Sequence, residues 1–304
     1  MTTRIAVIGE SLVDVVQEGP TQERHGYVGG SPLNVAVGLA RLGLPATLHT
    51  RIGRDGYGEM VAGRLADEGV AVPDGALVDD RTSTATVTLA DDGGASYDFD
   101  LVWDLPVPDV SDTSGVTVVH TGSIGAVLEP GGTVARTAVA TAGPGVLRTY
   151  DPNVRSDIMG DAGTARRVIR DLAASCHVVK FSDEDAAWLG DGRTADEVLA
   201  DVAASGPRVT VMTRGADGCT AVVAGVPHAV PGRKVEVADT IGAGDAFMSG
   251  LLFALVSDGS DRLLVAGEPL GTDRVARALD TAVASAAVAV SRAGAQPPHR
   301  DELV

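Results

Sequence analysis

The sequence predicts an α/β protein built on a mainly parallel central sheet with helices on both faces. Short apolar runs alternate with helical patterns along most of the 304 residues, and this alternation is typical of parallel sheets. Hydrophobic residues make up 44% and charged residues 21% of the chain, which supports a large core and excludes disorder, collagen and disulfide miniproteins. No stretch rich in Pro, Gly or Ser divides the sequence, so we expect a single domain over residues 1–304.

Apolar runs and helical periodicity place the elements in chain order. The predicted strands are 4–9, 117–121, 146–151, 177–181, 209–213 and 220–224. The predicted helices are 32–42, 58–68, 133–142, 165–174, 183–189, 195–204, 246–256 and 274–291. Residues 82–99 depart from this pattern, because two strand-like runs flank the turn Asp91-Asp92-Gly93-Gly94 and predict a β-hairpin. Together with strands near 13–28, the segment 82–104 would form a small β-sheet lid, or else a plain sheet edge.

The charge balance excludes several classes of function. Lys and Arg number 24 against 41 Asp and Glu, a net charge of −17. A field of this sign repels phosphate backbones and anionic membranes, so we expect no nucleic-acid or membrane partner, although a local positive pocket could still take a small anion. The apolar runs at the amino terminus and near 282–290 are too short for a signal peptide or a membrane span. We therefore expect a cytoplasmic protein.

Polar or glycine-rich clusters follow several predicted strands directly. They are Gly9-Glu10 to Asp14, Gly122-Ser123, Asp151 to Arg155, Lys180 to Asp185 and Thr213 to Gly218. Ligands of open parallel sheets bind beyond the carboxyl ends of the strands, so these clusters indicate a binding edge. The alternative is that turn residues occupy strand ends in any protein.

The segment Asp239-Thr240-Ile241-Gly242-Ala243-Gly244-Asp245 is the most informative. Gly242, Ala243 and Gly244 precede an apolar helix, so their N–H groups can form an anion hole at the positive end of the helix dipole. Asp245 then stands where a carboxylate can take a proton from a hydroxyl. The alternative is a glycine-rich loop with Asp245 as helix N-cap. No Walker loop is present, and the dinucleotide fingerprint does not match.

Two separate motifs resemble the signatures of the ribokinase-like, PfkB-type carbohydrate kinases. One is the Asp239–Asp245 segment, and the other is Gly29-Gly30-Ser31-Pro32-Leu33-Asn34-Val35-Ala36 with Leu39-Ala40-Arg41-Leu42-Gly43. Intermediate blocks also match, namely Gly9-Glu10-x-x-x-Asp14, Ile52-Gly53-x-Asp55-x-x-Gly58, Asp151-Pro152-Asn153-Val154-Arg155 and Thr213-Arg214-Gly215-x-x-Gly218. The resemblance implies a three-layer α/β/α sandwich with a small β-sheet lid. It also implies phosphoryl transfer from ATP with Mg²⁺ to a small-molecule sugar, with K⁺ as a further candidate cofactor and a homodimer through the lid as an option.

The resemblance assigns catalytic and sugar-binding roles residue by residue. Asp245 would be the general base, and Gly242, Ala243 and Gly244 would bind the transferring phosphate. The sugar would contact Asp14, Gly30, Asn34 and Arg155. Arg155 pairing with a surface acid is an equal alternative. Ser31 is expected to be a helix N-cap with Pro32 at the first helical position.

On the nucleotide side, Ser182, Thr213, Gly215 and Gly218 would contact ATP. Asp185 would reach the metal, although residues 182–185 also suit a plain helix start with acids facing the dipole. A hairpin turn between two strands is compatible with the role of Thr213, Gly215 and Gly218. The helix 274–291 would flank the adenine, and its periodicity alone predicts only a buried helix.

The acceptor sugar is inferred from a difference between this sequence and related sugar kinases. Residues 97–104 carry no basic side chain where related sugar kinases often have an Arg after the hairpin. This favours a neutral sugar, with fructose first. The alternatives are 2-keto-3-deoxygluconate kinase, ribokinase, nucleoside kinase, and a sugar- or nucleotide-binding protein without turnover.

Overall fold

In the computed structural model, which describes residues 3–18, 23–89, 95–105 and 115–303, strands and helices alternate along the chain. The strands are β1 (Ile5–Ile8), β2 (Leu12–Glu18), β3 (Glu23–Gly29), β4 (Ala46–His49), β5 (Ile52–Gly53), β6 (Leu77–Val78), β7 (Thr84–Leu89), β8 (Ala95–Asp100), β9 (Val118–Gly122), β10 (Leu147–Asp151), β11 (Val178–Ser182), β12 (Val209–Thr213), β13 (Cys219–Val223) and β14 (Val226–Val230). The helices are α1 (Ser31–Arg41), α2 (Gly56–Asp67), α3 (Gly131–Thr141), α4 (Ala162–Ser175), α5 (Asp183–Gly190), α6 (Ala195–Ala204), α7 (Ala243–Ser257), α8 (Ser260–Ala266) and α9 (Thr272–Val290).

The central sheet is mainly parallel, as predicted. Over the described residues its strand order is β14-β13-β12-β11-β10-β9-β1-β4. The strands from β12 to β4 in this order are parallel, and β13 and β14 are antiparallel at one edge. Strand β1 is buried along its whole length, because helices cover both faces and a parallel strand must therefore be apolar on both sides.

Two cores sandwich this sheet and form the predicted three layers. On one face α1, α7 and α9 pack with Val7, Val178 and Val211 of the sheet. On the other face α3, α4, α5 and α6 pack with residues such as Tyr150 and Phe181. Because α7 packs closely against both α1 and α9, its amino end is held rigidly next to the amino end of α1.

A small separate sheet has the order β3-β2-β7-β8. The predicted hairpin is confirmed, since β7 and β8 pair antiparallel, while its turn at Asp91–Gly94 lies outside the described residues. Strand β2 follows β1 after a short connection, and β3 leads directly into α1. The small sheet is thereby joined to the two segments that carry predicted sugar-binding residues. Its action as a lid stays a prediction.

Several boundaries differ from the sequence-based expectation. Helix α7 begins at Ala243 rather than 246, because Gly242 adopts a φ of 74° and serves as its N-cap. Gly244 and Asp245 therefore lie within the first turn. The short elements β4, β5, β6, β14 and α8 were not predicted. Strand β14 is largely exposed and contains Pro227, so it lacks the apolar run by which buried strands are found.

In the described part of the chain, no helix combines the length and apolarity needed to cross a membrane.

Candidate active site

The polar clusters predicted at strand ends meet at one edge of the central sheet. Glu10, Ser123, Asp151 and Ser182 end or follow β1, β9, β10 and β11, which are neighbours in the sheet. The clusters thus share the carboxyl edge, where ligands of open parallel sheets bind. A separate cavity of about 390 Å³ between α4, α5 and α6 contains none of the predicted site residues, and it lies on the opposite face from α7.

Asp245 is the centre of this arrangement. It lies in the first turn of α7 with only 7% of its surface exposed. One carboxylate oxygen accepts a hydrogen bond from Ser31 Oγ at 2.6 Å, and the other accepts one from Asn34 Nδ2 at 2.8 Å. Both donors belong to the first turns of α1. The amino ends of the two helices are therefore joined through the carboxylate that the motif singles out.

The capping expectation for Ser31 is wrong. Ser31 is the first residue of α1 and Gly30 is its N-cap, with no side-chain capping bond, because the Ser31 hydroxyl donates to Asp245 instead. Gly30 has a φ of 110°, and a Cβ there would lie 2.6 Å from the Glu10 carbonyl oxygen, so only glycine fits. The alternative in which Asp245 is an N-cap is excluded, because that position belongs to Gly242.

The surroundings of Asp245 set its proton affinity. Burial raises the pKa of Asp245, while the hydrogen bonds from Ser31 and Asn34 and the charges of Lys180 and Arg155 act to lower it. The result is a carboxylate with a higher pKa than an ordinary Asp, next to donors and cations that favour its ionised form. A general base needs this combination of a raised pKa and a retained negative charge.

The loop ahead of Asp245 presents unpaired N–H groups. The Ala243 N–H donates to the Thr240 carbonyl at 3.2 Å. Within the described chain, the N–H groups of Gly242, Gly244 and Asp245 have no acceptor. Free donors at a helix amino end attract anions. Over the described residues, Gly242, Gly244 and Asp245 thus have free N–H groups that suit the predicted anion hole, whereas the Ala243 N–H is already bonded.

Of the predicted sugar contacts, Asn34 binds this carboxylate directly, and Asp14 shares with it the charge of Arg155. Asp14 is on β2 and open to solvent, yet desolvation by the protein around it raises its pKa against the opposing charge of Arg155. Gly30 and Asn34 begin α1. The small sheet brings no basic residue of its own at 97–104, but Arg81 forms an ion pair with Asp100 there at 2.7 Å. Its charge is therefore already partnered.

The charge of Arg155 acts on the carboxylates of the candidate site. It is exposed, and its guanidinium donates to the carbonyls of Asn153 and Val154. Among the described residues it forms no ion pair within 4 Å. Its charge nevertheless lowers the pKa of Asp245, Asp14 and Glu10. These effects support the alternative in which Arg155 serves an acceptor or a phosphate.

Ser182 and Asp185 form a capping box at the start of α5. Ser182 Oγ accepts from the Asp185 N–H, and one Asp185 oxygen accepts from the Ser182 N–H at 2.8 Å. The other Asp185 oxygen accepts from the Val154 N–H at 2.7 Å. Both carboxylate oxygens thus bind backbone amides, which favours the helix-start alternative. Over the described residues there is no cluster of three or more His, Cys, Asp or Glu that could hold a metal.

Thr213, Gly215 and Gly218 form the turn between β12 and β13. The two strands pair antiparallel, as the hairpin alternative predicted, and Gly215–Asp217 forms one turn of 3₁₀ helix between them. Gly218 has a φ of 93°, and a Cβ there would lie 2.1 Å from the Val230 carbonyl oxygen. The fold alone therefore requires glycine at 218. A nucleotide role for this turn stays a prediction.

Sequence reasoning gave no role to Lys180 and Asp151. Lys180 Nζ lies 2.8 Å from Asp151 Oδ2, and both side chains are at most 4% exposed. Burial disfavours the charged form of Lys180, but the carboxylates of Asp151, Asp185 and Asp245 outweigh it and raise its pKa. The signal was visible in the sequence, because Lys180 interrupts the apolar strand Val178–Ser182.

Glu10 is a second group that was missed as an individual residue. One of its oxygens accepts from the Gly125 N–H at 2.8 Å. It is 5% exposed, and burial raises its pKa to about 7. A carboxyl group with a pKa near neutrality therefore lies just after β1, at the carboxyl edge of the sheet.

Comparison with known proteins places these features in a family. The model of the pfkB family of carbohydrate kinases matches residues 2–302. A fructokinase of Escherichia coli is 34% identical, over 100% of this chain and 99% of its own length. The structure of a fructokinase from Vibrio cholerae with fructose, ADP and calcium bound is 28% identical, has a TM-score of 0.78 and covers 97% of this chain and 94% of its own. A sugar kinase of Pyrococcus horikoshii in complex with ATP is also 28% identical, with a TM-score of 0.78 over 98% and 96% of the two chains.

Proposed function

The chain belongs to the pfkB family of carbohydrate kinases, and from this premise we propose that it transfers the γ-phosphoryl group of ATP to a hydroxyl of D-fructose. Relatives along its full length are fructokinases. The observation that carries the proposal is the buried carboxylate of Asp245, held by Ser31 and Asn34 beside unpaired N–H groups.

In the proposed reaction, a sugar hydroxyl attacks the γ-phosphorus of ATP, and the bond to the ADP oxygen breaks. Asp245 takes the proton of the hydroxyl, and its raised pKa suits that transfer. The free N–H groups of Gly242 and Gly244 stabilise the charge on the migrating phosphoryl group. Positioning and charge stabilisation provide most of the acceleration, because phosphoryl transfer needs little covalent chemistry from the protein.

The acceptor is held by groups around Asp245. Asp14 accepts hydrogen bonds from neighbouring sugar hydroxyls, and Asn34 both donates and accepts. Arg155 supplies a positive charge over the acceptor. The small sheet, which carries Asp14 on β2, covers the bound sugar as a lid.

Mg²⁺ is proposed to enter as the ATP complex. Mg²⁺ keeps several waters and binds through one or two carboxylates together with substrate phosphates, which agrees with the lack of a three-residue cluster in the described chain. Asp185 would act through water, since its oxygens already bind backbone amides. K⁺ dependence, a homodimer through the small sheet and a cytoplasmic location remain parts of the proposal.

A panel of acceptors in a coupled ADP-release assay tests the proposal. Fructose, ribose, a nucleoside and 2-keto-3-deoxygluconate are compared with ATP and Mg²⁺, with and without K⁺. We expect fructose to give the highest kcat/KM by at least about tenfold, roughly what one well-placed contact distinguishes.

A higher kcat/KM for the keto-deoxy acid would contradict the fructose assignment. Arg155 would then be the residue that binds the acceptor carboxylate, because Arg81 is already paired with Asp100. Sugar binding by calorimetry with no ADP formed under any of these conditions would favour a binding protein without turnover.

A further inference from the structure

Lys180 is a buried cation to which the reaction proposed above assigns no role. It projects from β11 on the face that packs against α7, and its side chain is 4% exposed. Its ammonium is fixed by Asp151 at 2.8 Å. Lysine is almost never buried to this extent unless it is paired, and Asp151 provides the partner that this buried position requires.

The Lys180 ammonium lies next to the Gly242–Gly244 loop. A Cβ added at Gly244 would be 2.8 Å from Lys180 Nζ, with no backbone atom of another element closer. Gly244 has no positive φ, so its backbone conformation would accept other residues. The absence of a side chain at 244 is what lets the ammonium approach the first turn of α7.

This placement is unfavourable for the helix by itself. A helix amino end carries a partial positive charge, and a cation beside it opposes the dipole. The N–H groups of Gly244 and Asp245 have no acceptor in the described chain. An anion bound at the loop would reverse the balance, because the ammonium and the N–H groups would then attract it together.

We propose that Lys180 is a positioning residue for phosphoryl transfer, which supplies a fixed positive charge behind the Gly242–Gly244 loop and holds the loop ready for the ATP phosphates. The role deepens the proposed function and rests on it. Asp151 orients the ammonium, and Gly244 admits it. The charge also favours the ionised form of Asp245, the group that takes the proton.

The first test compares Lys180→Met with the double variant Asp151→Asn/Lys180→Met. Met matches Lys up to Cε and lacks only the ammonium, and Asn can still accept a hydrogen bond from the Asn153 N–H that now donates to Asp151. The single variant leaves a buried carboxylate unpaired and is expected to unfold at lower urea, whereas removing both charges restores much of the stability. We expect kcat to fall about 10²-fold in both variants, with KM for the sugar changed less than about threefold.

Recovery of wild-type kcat in the double variant would overturn the proposal, because Lys180 would then serve only to neutralise Asp151. Arg41→Met is the matched control, since Arg41 forms a nearly buried ion pair with Glu68 at 2.6 Å near the carboxyl end of α1. It should lower the urea midpoint without lowering kcat. An equal loss of kcat in this control would mean that stability, and not the charge at 180, determines activity.

Gly244→Ala tests the close approach. Alanine favours the helix, but its Cβ would displace the ammonium. We expect kcat to fall at least about tenfold, and we expect the same substitution to add little further loss in a Lys180→Met background, because coupled residues are non-additive. Fully additive losses would contradict the coupling of the two residues.

The proposed function is judged separately, by turnover of the wild-type chain on fructose. If wild type turns over no sugar, ATP affinity measured by calorimetry carries the test of Lys180. Lys180→Met is then expected to weaken ATP binding about tenfold relative to wild type and Arg41→Met. Equal affinities in all three proteins would overturn the role of Lys180.

Discussion

Replacement of Ser31 by Ala tests whether the Ser31 hydroxyl lowers the pKa of Asp245, the proposed general base. The Ser31–Asp245 distance of 2.6 Å is that of a short, charge-assisted hydrogen bond. Such a bond to a charged group contributes about 1.5–3 kcal/mol, and each 1.4 kcal/mol corresponds to about tenfold. Since Gly30 is the N-cap of α1, the substitution removes no capping bond, and we expect a folded protein.

The sign of the effect follows from the groups around Asp245. Ser31 and Asn34 of α1, Lys180 of β11 and Arg155 beyond β10 lower its pKa against burial. Loss of the Ser31 donor raises the pKa of Asp245, so that, as pH falls, its carboxylate becomes protonated at a higher pH than in wild type. We therefore expect kcat of Ser31→Ala to be about 10- to 100-fold below wild type on the acidic side of the pH profile, and within about threefold of wild type at alkaline pH.

The assay is the pH dependence of kcat for fructose-dependent ADP release. Ser31→Thr keeps the hydroxyl and should retain most of the wild-type profile. Ser249→Ala is a matched control, because Ser249 is a buried residue of α7 whose hydroxyl donates to the Ala246 carbonyl at 3.0 Å. An unchanged acidic limb in Ser31→Ala, or an equal loss of kcat at every pH, would refute the reasoning.

Three further predictions concern stability, two of them at the turn between β12 and β13. Burial raises the pKa of Glu10 from 4.5 to about 7, so folding favours the protonated carboxyl group, and the fold loses stability as pH rises from 4.5 to about 7. Glu10→Gln should therefore be more stable than wild type at pH 8 by at most about 3 kcal/mol. Equal urea midpoints at pH 8 would contradict this. Gly218→Ala should destabilise by more than about 3 kcal/mol, since its Cβ would meet the Val230 carbonyl oxygen at 2.1 Å; a urea midpoint near wild type would be the opposite result. Gly215→Ala should cost only about 1–2 kcal/mol, because its φ is 52° and its Cβ would point into open space; a midpoint as low as that of Gly218→Ala would show that the turn tolerates no side chain.

Local pattern in the sequence was enough to predict the sheet and the position of Asp245. Apolar runs identified β9, β10, β11 and β12 within two residues, and the glycine motif placed Asp245 at a helix amino end. Strand β14 could not be found, because an exposed edge strand containing Pro227 has no apolar run. The start of α7 was predicted too late, because glycine has a low helix propensity and Gly244 was therefore left out of the helix. In the structure the helix begins directly after the Gly242 N-cap and includes Gly244.

The partners of the site residues depend on tertiary structure. Ser31 and Asp245 are 214 positions apart, and a serine before a proline is an ordinary N-cap by every local rule. Its actual bond depends on the packing of α1 against α7. The Lys180–Asp151 pair likewise depends on strand register. A lysine inside an apolar strand was the signal that could have drawn attention to it.

Turnover of Asp245→Asn with fructose and ATP tests the central claim most directly. Asn preserves the shape of the side chain and can keep one hydrogen bond to α1, so circular dichroism and the urea midpoint should match wild type. The loss of a general base is typically worth about 10²–10⁴-fold, and we expect kcat for ADP release to fall by at least about 10³-fold. A folded variant that turns over within tenfold of wild type would show that another group takes the proton.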